Sequence, residues 1–122
     1  MRFNDIKISK LAIGLSQFNN NLYKDKKITY SESSIKKIIE YAIDNGVNFF
    51  DTANNYGDTE QILGKLSNSK KKKIIICTKA GFIKKNVKNF SQKYLGTQIS
   101  KSLRALKVEY IDLFFINKPS AE

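Results

Sequence analysis

The chain has 122 residues and a mass of 14.0 kDa, room for one domain with a modest core. Hydrophobic residues make up 41% and charged residues 27%, with 6 Gly and 1 Pro, which excludes disordered, collagen-like and linker-like chains. The formal net charge is +11, and all of it falls in residues 62–122; residues 1–61 carry 8 basic and 8 acidic groups.

Short apolar runs alternate with amphipathic stretches along the chain. Lys7-Ile8-Ser9 is a candidate short strand, and Leu11-Ala12-Ile13-Gly14-Leu15 is an apolar run that stops at Ser16-Gln17. Ile35, Ile38, Ile39, Ala42 and Ile43 recur on one face of a helix. Thr29 and Glu32 have capping-box spacing for its start, with Ser31 as a competing N-cap, and Asn45-Gly46 supplies the stop. Val47 to Asp51 reads as a buried strand ending on a carboxylate. Asp58 is an N-cap candidate for a helix that carries Ile62, Leu63 and Leu66 and ends at Asn68-Ser69. Lys73 to Lys79 is a continuous β-branched strand, as in a parallel sheet covered on both faces. Ala80 to Asn89 reads as a polar, Lys-rich loop. Leu95, Ile99, Leu103 and Leu106 form another helical stripe, and Tyr110 to Ile116 a fourth strand before Asn117-Lys118-Pro119. The order β-α-β-α-β-α-β is that of right-handed parallel βαβ units, so the fold class is α/β.

Cys77 is the only cysteine, which excludes an intrachain disulfide, and its apolar run makes it a small buried hydrophobe rather than a reactive thiol. With no His, imidazole zinc sites and Ser-His-Asp or Cys-His catalysis are excluded, and no metal site is expected. The N-terminus lacks the apolar stretch of a signal peptide and no run approaches about 18 apolar residues, so the chain reads as cytoplasmic, without membrane contact. The runs Lys70 to Lys73 and Lys84, Lys85, Lys88 contain no Arg for bidentate phosphate or base recognition. They read as solvated surface, not as a nucleic-acid interface.

Parallel α/β folds place their chemistry at the C-terminal ends of the strands, which here carry Asp51, Lys79 and Asn117, with Tyr56 in the loop after Asp51. Tyr, Lys and Asp together suit one task. A free phenol titrates near pH 10, an ammonium beside it favours the phenolate, and a carboxylate holds the ammonium in place. Such a group can protonate a carbonyl oxygen as a hydride reaches its carbon. Spacing alone favours the plainer alternative, in which a solvent-facing Asp, a loop Tyr and a strand-end Lys share no purpose.

Taken together, Leu11-Ala12-Ile13-Gly14, Asp51-Thr52-Ala53, Tyr56-Gly57, Glu60, Leu63-Gly64, Thr78-Lys79, Ser102-Leu103-Arg104-Ala105-Leu106 and Tyr110-Ile111-Asp112-Leu113 resemble the aldo-keto reductases in order and approximate spacing. The resemblance covers nearly the whole chain. It implies a parallel (β/α)₈ barrel that reduces aldehydes and ketones, small-molecule carbonyl substrates, with NADPH or less often NADH. It makes Tyr56 the proton donor, assisted by Lys79 and Asp51; Asp51 would also lie near the nicotinamide, and Gly14 and Leu15 would border the cofactor.

Three features depart from that pattern. Asn117 stands where the family usually has a catalytic His; it either keeps a hydrogen-bond donor for the carbonyl oxygen or simply ends its strand in a turn, leaving a weakened site. Leu15 replaces a common Thr, and Asn19 replaces the Gly that often follows Phe18. Finally, a (β/α)₈ barrel needs about 250 residues. Residues 1–122 therefore read as the N-terminal half, about four βα units, either part of a longer frame or a module pairing with itself or with a complementary half-barrel. In the latter case it could be a non-catalytic remnant.

Overall fold

In a computed structural model, which describes residues 2–3, 5–19, 29–84 and 87–119, the apolar runs become strands that pair in the order of the chain. A hairpin of β1 (Arg2–Phe3) and β2 (Ile6–Lys7) comes first, followed by β3 (Ala12–Gly14) and one turn of 3-10 helix, Ser16–Phe18. Next come α1 (Glu32–Asp44), β4 (Phe49–Asp51), α2 (Thr59–Gly64), α3 (Asn68–Lys71) and β5 (Ile75–Ala80). A small antiparallel pair, β6 (Phe82–Lys84) and β7 (Val87–Lys88), precedes α4 (Gln92–Leu106) and β8 (Leu113–Ile116). Strands β3-β4-β5-β8 form one parallel sheet in that order.

Side-chain alternation gives this sheet two different faces. Phe50 and Ile76 are register partners on β4 and β5, and both join Ile35, Ile39, Ala42, Ile62, Leu63, Leu66 and Leu106 in the core beneath the helices. Each of the Ile, Leu and Phe side chains contributes about 1.5–3 kcal/mol on burial. The residues of opposite parity, Asp51, Ile75, Cys77 and Lys79, lie on the other face. Helix α2 meets α4 at Gly64, where any Cβ would overlap the Ala105 carbonyl oxygen; bare backbone is what lets the two helices approach.

Several boundaries differ from the sequence expectation. Ser31, not Thr29, caps α1: its Oγ accepts from the Ser34 N–H at 3.1 Å. Gly46 stops that helix at φ +86°, in the left-handed region that suits glycine. Asp58 precedes α2 as expected but makes no capping bond. Asn68-Ser69 does not end α2. That helix stops at Gly64, and Ser67 caps a separate turn, α3. The loop from Ala80 to Asn89 contains the β6–β7 pair, and Lys85 lies outside the described residues. On α4 the buried positions are Gln98, Ser102 and Leu106, while Leu95, Ile99 and Leu103 are only half-buried. The candidate strand at Lys7 to Ser9 is instead Ile6–Lys7, and Ser9 is clasped to the sheet by Asn48. Ser9 N–H donates to Asn48 Oδ1 at 2.8 Å, and Asn48 N–H donates to Ser9 Oγ at 3.0 Å.

Among the described residues no helix is long and apolar enough to cross a membrane. In the densest lysine run, Lys70 is paired with Asp44 at 2.8 Å and Lys71 Nζ donates to the Lys107 carbonyl.

Asp112 extends the β5–β8 ladder at its base, its Oδ2 accepting from the Ile76 N–H at 2.9 Å. Burial pushes its carboxyl above the ordinary value of 3.8, and that hydrogen bond partly opposes the shift. The folded state therefore holds this proton more tightly than the unfolded chain, so the Asp112 contribution to stability falls as pH rises from about 3.8 through the raised folded value. Asp112→Asn keeps an acceptor without that slope, so its stability relative to the parent should improve as pH rises over the same interval. Asp112→Ala strands the Ile76 N–H and should cost about 1–3 kcal/mol in urea titrations. The same titrations should show Gly64→Ala losing about 1–3 kcal/mol by overpacking. Gly96→Ala, mid-helix in α4 with nothing within 4 Å of its added Cβ, should gain up to about 1 kcal/mol.

Candidate active site

The site begins as a matter of register. Asp51 ends β4 opposite Cys77, and Lys79 lies two residues farther along β5 on the same face. Two residues of strand span roughly 6.6 Å, a distance the lysine stem covers by folding back. Lys79 Nζ meets both Asp51 carboxylate oxygens at 2.7 Å. Its side chain is 16% exposed against 38% for Asp51, so the ammonium is the more enclosed partner and the bond is charge-assisted.

Tyr56 reaches the same point from the loop after β4. Its N–H donates to the Ala53 carbonyl at 3.1 Å, and Asn54 N–H donates to the Lys79 carbonyl at 3.2 Å, tying this loop to the end of β5. Lys79 Nζ sits 5.3 Å from the Tyr56 ring centroid, a cation–π contact. The Tyr56 hydroxyl makes no hydrogen bond with another described residue. Asp51, Tyr56 and Lys79 are thus brought together. Asn117 ends the neighbouring strand, where its N–H donates to the Ala80 carbonyl at 2.8 Å, and its half-buried side chain has no hydrogen bond to a described residue.

Gly14 and Leu15 behave differently from each other. Gly14 is the register partner of Asp51, and a Cβ added there would meet nothing within 4 Å. Leu15 is 0% exposed within the core, and its N–H donates to the Asp51 carbonyl at 2.8 Å. Only its backbone can border a bound molecule.

The opposite face of the same strands carries polar residues that the sequence reading did not assign. Thr52 and Thr59 hydroxyls share a 2.7 Å hydrogen bond, and Thr78 Oγ1 donates to Glu60 Oε1 at 2.7 Å, all buried. Asn54 Nδ2 donates to Gln98 Oε1 at 3.0 Å. These bonds fasten both ends of the Tyr56 loop to α2, β5 and α4. One signal was available: Thr52 and Thr78 continue the alternation of Phe50 and Ile76, so they are polar residues at core positions.

The fit of a nicotinamide can be tested on these residues. Nothing in turn geometry or in described packing requires glycine at position 14, so the open space beside Asp51 is room that a flat ring could use. Asn54 Oδ1 and Asn55 Oδ1, in the loop that carries Tyr56, are buried acceptors without partners among the described residues. The open side of Gly14 next to the Asp51 carboxylate is compatible with such a group.

The family model for the Aldo/keto reductase family matches residues 10–122. The chain belongs to that family. It is 35% identical over 94 residues to 6-dehydroglucose reductase of Novosphingobium aromaticivorans, covering 68% of this chain and 31% of the relative. It is 30% identical over 115 residues to D-arabinose 1-dehydrogenase of Saccharomyces cerevisiae, covering 90% of this chain and 33% of the relative. The aldo-keto reductase AKR11C1 from Bacillus halodurans superposes with a TM-score of 0.72 at 27% identity, covering 92% of this chain and 37% of that one. The chain thus spans about a third of the length of these relatives. In aldo/keto reductase terms, its four-stranded sheet is part of a barrel.

Cys77 lies just beneath the Asp51–Lys79 pair. Burial first, then a hydrogen bond to Asp51 and that residue's negative charge, push its thiol up to about 12, with Lys79 acting in the opposite direction. A thiol both enclosed and protonated at neutral pH is inert. Iodoacetamide should leave Cys77 unmodified in native buffer and alkylate it in urea, as mass spectrometry can follow.

Proposed function

We propose that this chain supplies the proton-transfer residues of an NAD(P)H-dependent reductase that converts an aldehyde or ketone to an alcohol. The observation that carries the reading is the two-oxygen grip of Asp51 on Lys79, with the Lys79 ammonium over the Tyr56 ring. Reductase and dehydrogenase names among the relatives support the same reaction class. The dinucleotide, NADPH or NADH, supplies hydride to the substrate carbon when bound, and the Gly14 strand end and Asp51 would border it.

The proton transfer falls to the chain's own side chains. The Tyr56 hydroxyl gives its proton to the carbonyl oxygen as the C–H bond forms, and solvent later returns one. The Lys79 ammonium offsets the negative charge left on the phenolate, and it does so without reorganising because Asp51 already fixes it. Asn117 can donate an amide hydrogen bond to the same substrate oxygen, but cannot relay a proton.

A second reading is a non-catalytic module that associates with a copy of itself or with a complementary half-barrel. Exposed apolar side chains on the two outer strands of the sheet favour it: Leu11 beside β3 at 63%, and Phe115 and Ile116 on β8 at 52% and 47%. Oxidation of NADPH or NADH in the presence of a small aldehyde separates the two. Tyr56→Phe should lower turnover by about 10²–10⁴ with dinucleotide affinity unchanged. Turnover retained in that variant removes Tyr56 as donor, and absence of turnover in the parent protein favours the second reading.

A further inference from the structure

We propose that Asn19 is a positioning residue that sets the placement of Tyr56. The inference rests on the reading of Tyr56 as the proton donor. Asn19 is 3% exposed, and its Nδ2 donates to the carbonyl of Asn55 at 2.9 Å. On the other side of the tyrosine, a Cβ built on Gly57 would lie 3.3 Å from Asn19 Oδ1, and Gly57 has φ +62°. One buried amide therefore bonds the residue before Tyr56 and faces the space beside the residue after it. Its carbonyl end limits what can occupy position 57, and its amino end holds position 55.

Asn19 is itself anchored to the strand that borders Asp51. Its N–H donates to the Ser16 carbonyl at 3.1 Å, closing the 3-10 turn, and Phe18 N–H donates to the Leu15 carbonyl at 3.0 Å. Leu15 N–H in turn donates to the Asp51 carbonyl at 2.8 Å, with the Leu15 side chain locked in the core. The Asp51 backbone and the Tyr56 loop are thus both referred to the end of β3. A hydroxyl that must meet a substrate oxygen at hydrogen-bond distance depends on such referencing, because small displacements of a reacting group cost rate steeply. The Gly that the family pattern often carries at this position has no side chain with which to make either contact.

Two variants and two readouts test this. Asn19→Gly removes the clamp. Asn19→Asp keeps the shape against Gly57 but replaces the donor to Asn55 with a second acceptor. Amide hydrogen exchange at Asn54 and Tyr56 should quicken by about tenfold in both variants, the effect of one lost hydrogen bond, with exchange at Ile39 and Thr78 unchanged. In the reductase assay, kcat should fall in both variants while KM for the dinucleotide stays constant. Parental exchange in Asn19→Asp, or a uniform rise across all four amides, would overturn the positioning role, as would an unchanged kcat with loosened exchange. If the parent protein reduces no carbonyl, the donor reading fails by itself, and the exchange data still decide whether Asn19 holds this loop.

Discussion

A lysine ammonium held between the two oxygens of one carboxylate is the constraint around which the sheet is arranged. Asp51 and Lys79 sit on adjacent strands with a two-residue offset, so their contact demands that β4 and β5 pair with both residues on one face. A slip by one residue would send Lys79 to the helix-covered side and bring Thr78 to the mouth. The hydrophobic contacts of Phe50 and Ile76 require that same facing. Packing on one face and charge pairing on the other therefore agree, and the strands need no further device to settle their alignment.

The two faces divide the labour. On one face stands the charged pair of Asp51 and Lys79, above the buried Ile75 and Cys77. On the covered face, buried hydroxyl and carboxylate contacts, Thr52 with Thr59 and Thr78 with Glu60, hold the loop and helix that follow β4. Buried polar groups of this kind are costly unless each finds its partner, and these do. The loop bearing Tyr56 is consequently attached at several points: to β5 through Asn54, to α4 through Gln98 and to β3 through Asn19.

Much of this was legible in the sequence, for identifiable reasons. Strands β4, β5 and β8 announced themselves because β-branched and aromatic residues are concentrated there. The helix over Glu32–Asp44 did so because its isoleucines repeat at helical spacing. Asp51 and Lys79 could be placed at one mouth because parallel strands carry their ends to a common side, but a shared role with Tyr56 came from the family resemblance, since spacing alone favoured no common purpose. Other features depend on partners distant in the chain and leave no local mark. Ser31 and Thr29 are equivalent caps until the first turn of α1 is placed. Gly64 resembles any helix-ending glycine until α4 lies against it. Gln98 resembles a surface residue until Asn54 is found beside it. Leu15 looked like a mouth residue by position, yet its side chain turns into the core.

The sheet order β3-β4-β5-β8 follows the order of the chain without a single inversion. Every parallel strand after the first therefore finds its neighbour in the one made immediately before it, with a helical segment closing each step. Such a sheet can grow by accretion as the polypeptide leaves the ribosome, since no strand has to wait for a partner still to be synthesised. The grip of Asp51 on Lys79 is available once the third strand has docked, before β8 is in place.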